Sequence, residues 1–314
     1  MRLPFNLPPQ KELDVAGFGL NAVDHLLVVT EYPAFDTKVR FRDYQKSAGG
    51  QTASAMVGLQ RLGMKTAYAG RFGSDEDGQF GWHSVEHEGV NLDFAETVAG
   101  AQTQVAFIII DARSGERTII WDRDDRLSYR PEEAPASLAS RGRVLHLDAH
   151  DPPACAVMAR AARASGTIVT ADIDNIYEGL PELLPLIDVL ITSSEFPYRL
   201  TGIRDLPTAL IEVKRRYGCG IAGATLGARG AIVLCAERFL DSPAFAVPGG
   251  CRDTTGAGDA FHAGFIYGML HDEDLESCLK LGNAVAALKC RGLGARASLP
   301  TAAELKAFLS QKSP

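Results

Sequence analysis

The sequence predicts an α/β fold, a mostly parallel sheet flanked by helices with a small accessory β-sheet inserted into it, and three observations carry that prediction. From Leu13 onward short apolar runs alternate with amphipathic stretches, the pattern of repeated β-α units. The 314 residues, 46% hydrophobic and 23% charged, suffice to bury one large core or two modest ones without a metal or disulfide staple. Two stretches break the alternation. Residues 38–44, and the pair 103–111 with 116–121, are β-branched or aromatic with period-two character, and Ser114-Gly115 between the paired runs makes a hairpin turn.

In chain order, apolar runs bounded by turn residues predict strands over 14–18, 65–71, 144–148, 168–172, 188–191, 220–225 and 231–235. Between them, helical spacing of apolar residues with Pro or Gly nearby predicts helices over 51–62, 75–87, 153–164 and 208–217. The C-terminal third is helical: 257–270, 275–291 and 302–309 are Ala-rich or amphipathic with no long strand between them. No repeat, low-complexity tract or long linker divides the chain, so residues 1–314 are expected to form one domain. Within 104–111 both alternating sets are apolar, Val105, Phe107 and Ile109 on one face and Ala106, Ile108 and Ile110 on the other. Such a strand should not stand in water, so its second face needs a partner.

Lys plus Arg total 32 against 39 for Asp plus Glu, a net charge of −7, the wrong sign for nonspecific nucleic-acid binding. A small anion can still bind locally through backbone N–H groups and a few arginines. The six cysteines form no C-x-x-C pair, and the first ten residues carry three prolines and no apolar core of a leader. Reduced thiols, a cytoplasmic location and no membrane contact are therefore expected; the longest apolar run, 105–110, is far too short to cross a bilayer.

The strongest local signal is Asp253-Thr254-Thr255-Gly256-Ala257-Gly258-Asp259-Ala260-Phe261, which opens the helix over 257–270. Small residues at 256–258 let a ligand approach the backbone, and the unspent N–H groups of a helix start favour phosphate oxygens. An acidic residue in a first turn can simply complement the helix dipole, as Asp259 would. Beside a phosphate, however, a carboxylate repels unless it takes a proton from an attacking hydroxyl or helps hold a cation, which suggests phosphoryl transfer.

This segment resembles the C-terminal signature of the ribokinase-like, or phosphofructokinase B type, sugar kinases, in which D-T-x-G-A-G-D precedes a helix. Other landmarks fall in the family's order: residues 17–24 after the first strand, Gly49-Gly50 with Arg61-Leu62-Gly63, Thr225-Leu226-Gly227, and Asn283 in a late helix. The resemblance spans roughly residues 14–300. It implies a three-layer domain with a mostly parallel central sheet and a small β-sheet lid from segments about 37–46 and 102–121, and transfer of the ATP γ-phosphate, with Mg²⁺, to a hydroxymethyl group of a sugar such as ribose or fructose. By the same resemblance Asp259 is the general base and Gly256, Ala257 and Gly258 form an anion hole. Asp24, Gly49, Gly50 and Ser54 face the sugar; Thr225, Gly227 and Asn283 face the nucleotide. Asp253 matches a position that helps hold a monovalent cation such as K⁺, although a strand-end Asx turn accounts for it too. The family usually has Asn at the position of Ser54, which leaves the sugar open. Its N-x-x-E near the Mg²⁺ site reads here Ser194-Glu195-Phe196-Pro197, so Glu195 is the acidic candidate there. Many members pair their lids in a homodimer, which implies a dimer here, with either face of 104–111 as the contact. A nucleoside kinase of the same family and a silent sugar-binding regulator are the competing readings.

Two motifs compete with this assignment. Gly17-Phe18-Gly19-Leu20-Asn21-Ala22 spells a dinucleotide fingerprint, but 26–29 and Pro33 continue as extended chain where a Rossmann helix belongs. His83-Ser84-Val85-Glu86-His87 has zinc-binding spacing on a helix, but sits on an acidic, solvated face. P-loop, protein-kinase and G-x-S-x-G motifs are missing from the sequence.

Overall fold

The computed structural model describes residues 1–311 of the chain. Its strands are β1 (Leu13–Phe18), β2 (Ala22–Val29), β3 (Phe41–Gly49), β4 (Thr66–Ala69), β5 (Arg71–Gly73), β6 (Glu96–Val98), β7 (Val105–Asp111), β8 (Arg117–Asp122), β9 (Gly142–Leu147), β10 (Ile168–Ala171), β11 (Val189–Ser193), β12 (Ile221–Thr225), β13 (Ala231–Cys235) and β14 (Arg238–Ser242). Its helices are α1 (Gln51–Arg61), α2 (Glu76–Glu86), α3 (Ala136–Ala139), α4 (Pro152–Ala164), α5 (Leu180–Leu183), α6 (Glu195–Thr201), α7 (Leu206–Tyr217), α8 (Ala257–Leu270), α9 (Leu275–Lys289) and α10 (Ala302–Ser310). Several helices start where a side chain satisfies an orphan amide: Asp75, Asp205, Asp274 and Thr301 each cap the helix that follows.

The central sheet has eight strands in the order β14-β13-β12-β11-β10-β9-β1-β4. β4 through β12 in that order pair in parallel, and only β13 runs against them, pairing antiparallel with β12 on one side and β14 on the other. Parallel strands covered on both faces read as continuous apolar runs, and two cores explain why these do. Val15, Val144, Val189, Ile191 and Ile221 pack on one side with residues of α1, α8 and α9; Ala16, Leu145, Leu147, Val169 and Leu190 pack on the other with α4 and α7.

The small sheet has the order β3-β2-β7-β8. Its inner face buries Leu26, Val28, Ala106, Ile108 and Ile110 around Leu293. The outer face is open: Phe107 is 47% exposed and Ile120 58%. There the His25 ring stacks 4.9 Å from Phe107, and its Nδ1 lies 2.8 Å from the Tyr44 hydroxyl. The two apolar faces of β7 are thus resolved, with the Ile108 face inward.

The structure corrects four details. The segment 26–29, read as plain extended chain, belongs to β2, the strand that the lid hairpin and β3 both pair with. The lid strand expected over 38–44 begins at Phe41 and runs on to Gly49. The strand expected over 65–71 breaks at Gly70 into β4 and β5, because β5 leaves the central sheet to pair with β6. β14 was not expected, its polar Arg238–Ser242 showing neither alternation nor an apolar run.

Candidate active site

The turns that follow β1, β9, β10, β11 and β12 carry the chemistry-bearing residues, at the carboxyl ends of the strands where open α/β sheets bind ligands. α8 begins at the same edge: Gly258 faces Asp172 after β10, and the His262 Nε2 lies 3.5 Å from the Asp172 Oδ1.

The start of α8 is a cradle by construction. Gly256 takes a left-handed φ of 75°, which turns the chain sharply into the helix. The Ala257 amide donates to the Thr254 carbonyl at 3.1 Å, whereas the amides of Gly256, Gly258 and Asp259 find no acceptor among the described residues. Of the three expected anion-hole residues, Gly256 and Gly258 keep free donors and Ala257 spends its own on the turn. Asp259 is buried in the first turn, and its carboxylate makes no hydrogen bond or ion pair among the described residues. Burial raises its proton affinity well above the ordinary carboxylate range, the Asp172 charge raises it further, and Arg117 and Lys289 oppose them.

Asp253 forms the Asx turn anticipated as its alternative role, with Oδ1 accepting the Thr255 amide at 2.8 Å. Its Oδ2 accepts the Gly294 amide at 2.7 Å, and its backbone carbonyl accepts from the Lys289 Nζ at 2.9 Å. Each carboxylate oxygen therefore already accepts one backbone amide. Arg117 of the lid donates to the Thr254 hydroxyl at 2.9 Å, so the hairpin tip rests on the cradle loop.

On the opposite side Asp24 projects from β2 against the end of β3, where a Cβ on Gly49 would collide with its carboxylate. Gly50, at a φ of 92°, lies against the Asn21 backbone, so the diglycine is required by close approach. Burial lifts Asp24 to about 7; Arg296 pulls it down and Asp253 pushes it up. Ser54 is fully buried, and its Oγ accepts from the Arg296 Nε at 3.2 Å, so the structure places it behind the diglycine as a support. The same guanidinium reaches the Gly49 carbonyl and the Ser84 hydroxyl.

At the other end Thr225 closes β12, and a Cβ on Gly227, at a φ of 58°, would meet open space. Asn283 is buried in α9, with its Nδ2 donating to the Ser242 carbonyl and hydroxyl at 3.0 and 2.9 Å, so that its amide nitrogen anchors β14. Glu195 opens α6 after β11 and is exposed. Asp172 lies against the cradle, and His262 offsets its burial and leaves it below the usual range, while burial and the Asp172 charge lift Asp174 to about 6. No preformed cluster of three metal-ligating side chains exists among the described residues.

Asp148, Asp172, Lys289 and Arg296 were not foreseen. Asp148 accepts from the Leu20 amide at 2.5 Å and the Thr52 hydroxyl at 2.9 Å, fixing the turn before β2. For Lys289 a signal exists: it extends the buried stripe Cys278, Gly282, Val285 at helical spacing.

The model of the pfkB family carbohydrate kinases matches residues 13–302. The chain belongs to that family. It is an ATP-dependent carbohydrate kinase of ribokinase-like fold. An ATP-dependent ribose-1-phosphate kinase of Halopiger xanaduensis is 31% identical over 301 residues, covering 92% of this chain and 95% of that protein. A nucleoside kinase of Methanothermobacter thermautotrophicus is 25% identical over 307 residues, covering 96% and 97%. The fold matches Arabidopsis thaliana ribokinase complexed with ribose and ATP, with a TM-score of 0.78 at 22% identity over 96% of this chain and 99% of that one. No helix of the described residues is long and apolar enough to cross a membrane.

Proposed function

We propose that this kinase transfers the γ-phosphate of ATP to a hydroxymethyl group of a pentose or ketose, with Asp259 as the general base. The observation that carries this reading is the buried, unpartnered Asp259 carboxylate beside unspent helix-start amides. A carboxylate with raised proton affinity can accept the proton of the attacking hydroxyl as the oxygen–phosphorus bond forms, and the amides of Gly256 and Gly258 take the charge that grows on the transferring group. Asp24 supplies several acceptor positions for sugar hydroxyls, and the Gly49-Gly50 backbone lets the ring approach. Thr225 and Gly227 border the nucleotide. Mg²⁺, bound with the nucleotide, would be held by Asp172 or Asp174, with Glu195 through water, and would neutralise phosphate charge.

One feature favours a substrate extended at the anomeric carbon, as in a nucleoside or a sugar 1-phosphate. Trp121, on the inner face of the lid in register with Ala106 and Asp24, lies 6.1 Å from the His150 ring, which lies 4.9 Å from Tyr177. These rings offer a stacking surface beyond the sugar. The exposed outer lid face with Phe107 and Ile120 fits a homodimer, which would bury it on both subunits at once. Six free thiols fit a reducing cytoplasm.

An ADP-release screen with purified protein over pentoses, ketoses, ribose 1-phosphate and nucleosides tests the proposal. One sugar or nucleoside class should stand above the rest. Absence of release with every acceptor, from protein that binds ATP, would favour a silent sugar-binding regulator.

A further inference from the structure

The family resemblance implies a monovalent cation beside Asp253, and the residues present do not fit one. Lys289, the last residue of α9, is fully buried and directs its ammonium into this loop, 2.9 Å from the Asp253 carbonyl and 4.0 Å from its Oδ2. The Asp253 carboxylate is already shared between the amides of Thr255 and Gly294. A bare ion at this place would face an ammonium of like charge, beside a carboxylate whose oxygens each already accept an amide.

We infer that the Lys289 ammonium is the built-in cation of this loop, so that the kinase neither binds nor needs a monovalent metal ion at Asp253. The inference rests on the reading of the α8 start as the phosphoryl-transfer site. A buried ammonium is costly unless it is paired, and here it has a carbonyl, a carboxylate and the negative end of α9. In return it clamps the cradle. Asp253 links the 253–256 turn to the segment after α9, and the Arg252 amide donates to the Cys290 carbonyl at 2.9 Å beside it. Gly256 packs directly on Ala295 of that segment. The Lys289 charge also reaches Asp259 and Asp24, on which it acts to favour the ionised form. Lys289 is thus a positioning residue that does, from inside the chain, what a bound ion would do for loop geometry and local charge. Burial lowers its own proton affinity and the Asp253 charge opposes that, in keeping with a paired ammonium.

The test compares wild type with Lys289→Met, which keeps the stem and removes the charge, in KCl, NH4Cl and tetramethylammonium chloride at equal ionic strength. Wild type should show the same kcat and melting temperature in all three salts. Lys289→Met should lose at least about ten-fold in kcat through loop displacement, more than it loses in KM, and should regain part of the loss and part of its melting temperature in K⁺ or NH4⁺. Activation or thermal stabilisation of wild type by K⁺ over tetramethylammonium would overturn the inference, as would a Lys289→Met variant that is fully active in tetramethylammonium. If the variant fails to fold, the wild-type salt series decides alone. The melting measurements need no turnover, so a failure of the kinase reading would show separately, as absent ADP release with salt-independent melting.

Discussion

Substituting Gly256 and Gly258 separately should divide the cradle's structural demands from its chemical ones. At Gly256 an alanine must hold a φ of 75°, which costs an L-residue about 1–2 kcal/mol. Its Cβ would also lie 2.7 Å from both the Cα and Cβ of Ala295, backbone-fixed atoms that can yield only if the two loops part. Overpacking of that kind adds about 1–3 kcal/mol. Together these give a loss of about 2–5 kcal/mol, or a fall of roughly 3–8 °C in melting temperature for a chain of this size. Parting the loops also displaces the amides that meet the phosphoryl group, and a shift near 1 Å costs on the order of 10² in turnover. At Gly258 the backbone is ordinary helix, and the nearest atom to a new Cβ is the Asp172 Oδ2 at 3.7 Å, a normal contact. Gly258→Ala should therefore melt at or above the wild-type temperature, since alanine favours a helix over glycine by about 1 kcal/mol. It should nevertheless lose kcat, because its methyl enters the space in front of the free amides. Differential scanning fluorimetry and a coupled ADP assay on both variants decide. A Gly256→Ala protein that melts with wild type, or a Gly258→Ala protein with undiminished turnover, would refute this account of the cradle.

Asp24 should make stability pH-dependent: burial raises it to about 7, above the value near 4 of an unfolded carboxylate, so folding takes up a proton between those values and stability falls as pH rises through that window. Asp24→Asn removes the effect, and its melting temperature should gain on wild type from about pH 4 to about pH 7 while the sugar KM rises; parallel melting profiles would contradict the burial argument. Phe107→Asp, on the exposed lid face, should convert a dimer to a monomer by light scattering with the melting temperature preserved, whereas Ile108→Asp, 1% exposed, should destabilise the lid itself; a wild-type monomer would rule out the lid contact.

Much of the fold was legible because its signals are local. The parallel strands are apolar on both faces and bounded by turns, and α1, α4, α7, α8 and α9 carry helical spacing with acidic, Pro or Gly punctuation. The sequence also marked the start of α8 through its run of small residues. What escaped was non-local. β2 pairs with β7 some eighty residues away, and nothing in 22–29 announces that partner. β14 carries only Phe239 and Leu240 as apolar residues and gains its place through β13, the packing of those two on the cores and the Asn283 amide. Arg296, Asp148 and Asp172 carried no mark of a site because sequence has no measure of depth; each is buried by elements that arrive from elsewhere. Ser54 shows the same limit in reverse, since its partner is a guanidinium 242 positions later.

The proton transfer assigned to Asp259 is tested most directly by the single-turnover rate of Asp259→Asn with saturating ATP and the preferred acceptor. The amide is nearly isosteric, and with no partner of the carboxylate to break, fold and ATP affinity should stay at wild-type values. The chemical step should slow by at least about 10², the lower end for removal of a general base. A variant that transfers phosphate at close to the wild-type rate would contradict the assignment and move the base elsewhere in the site.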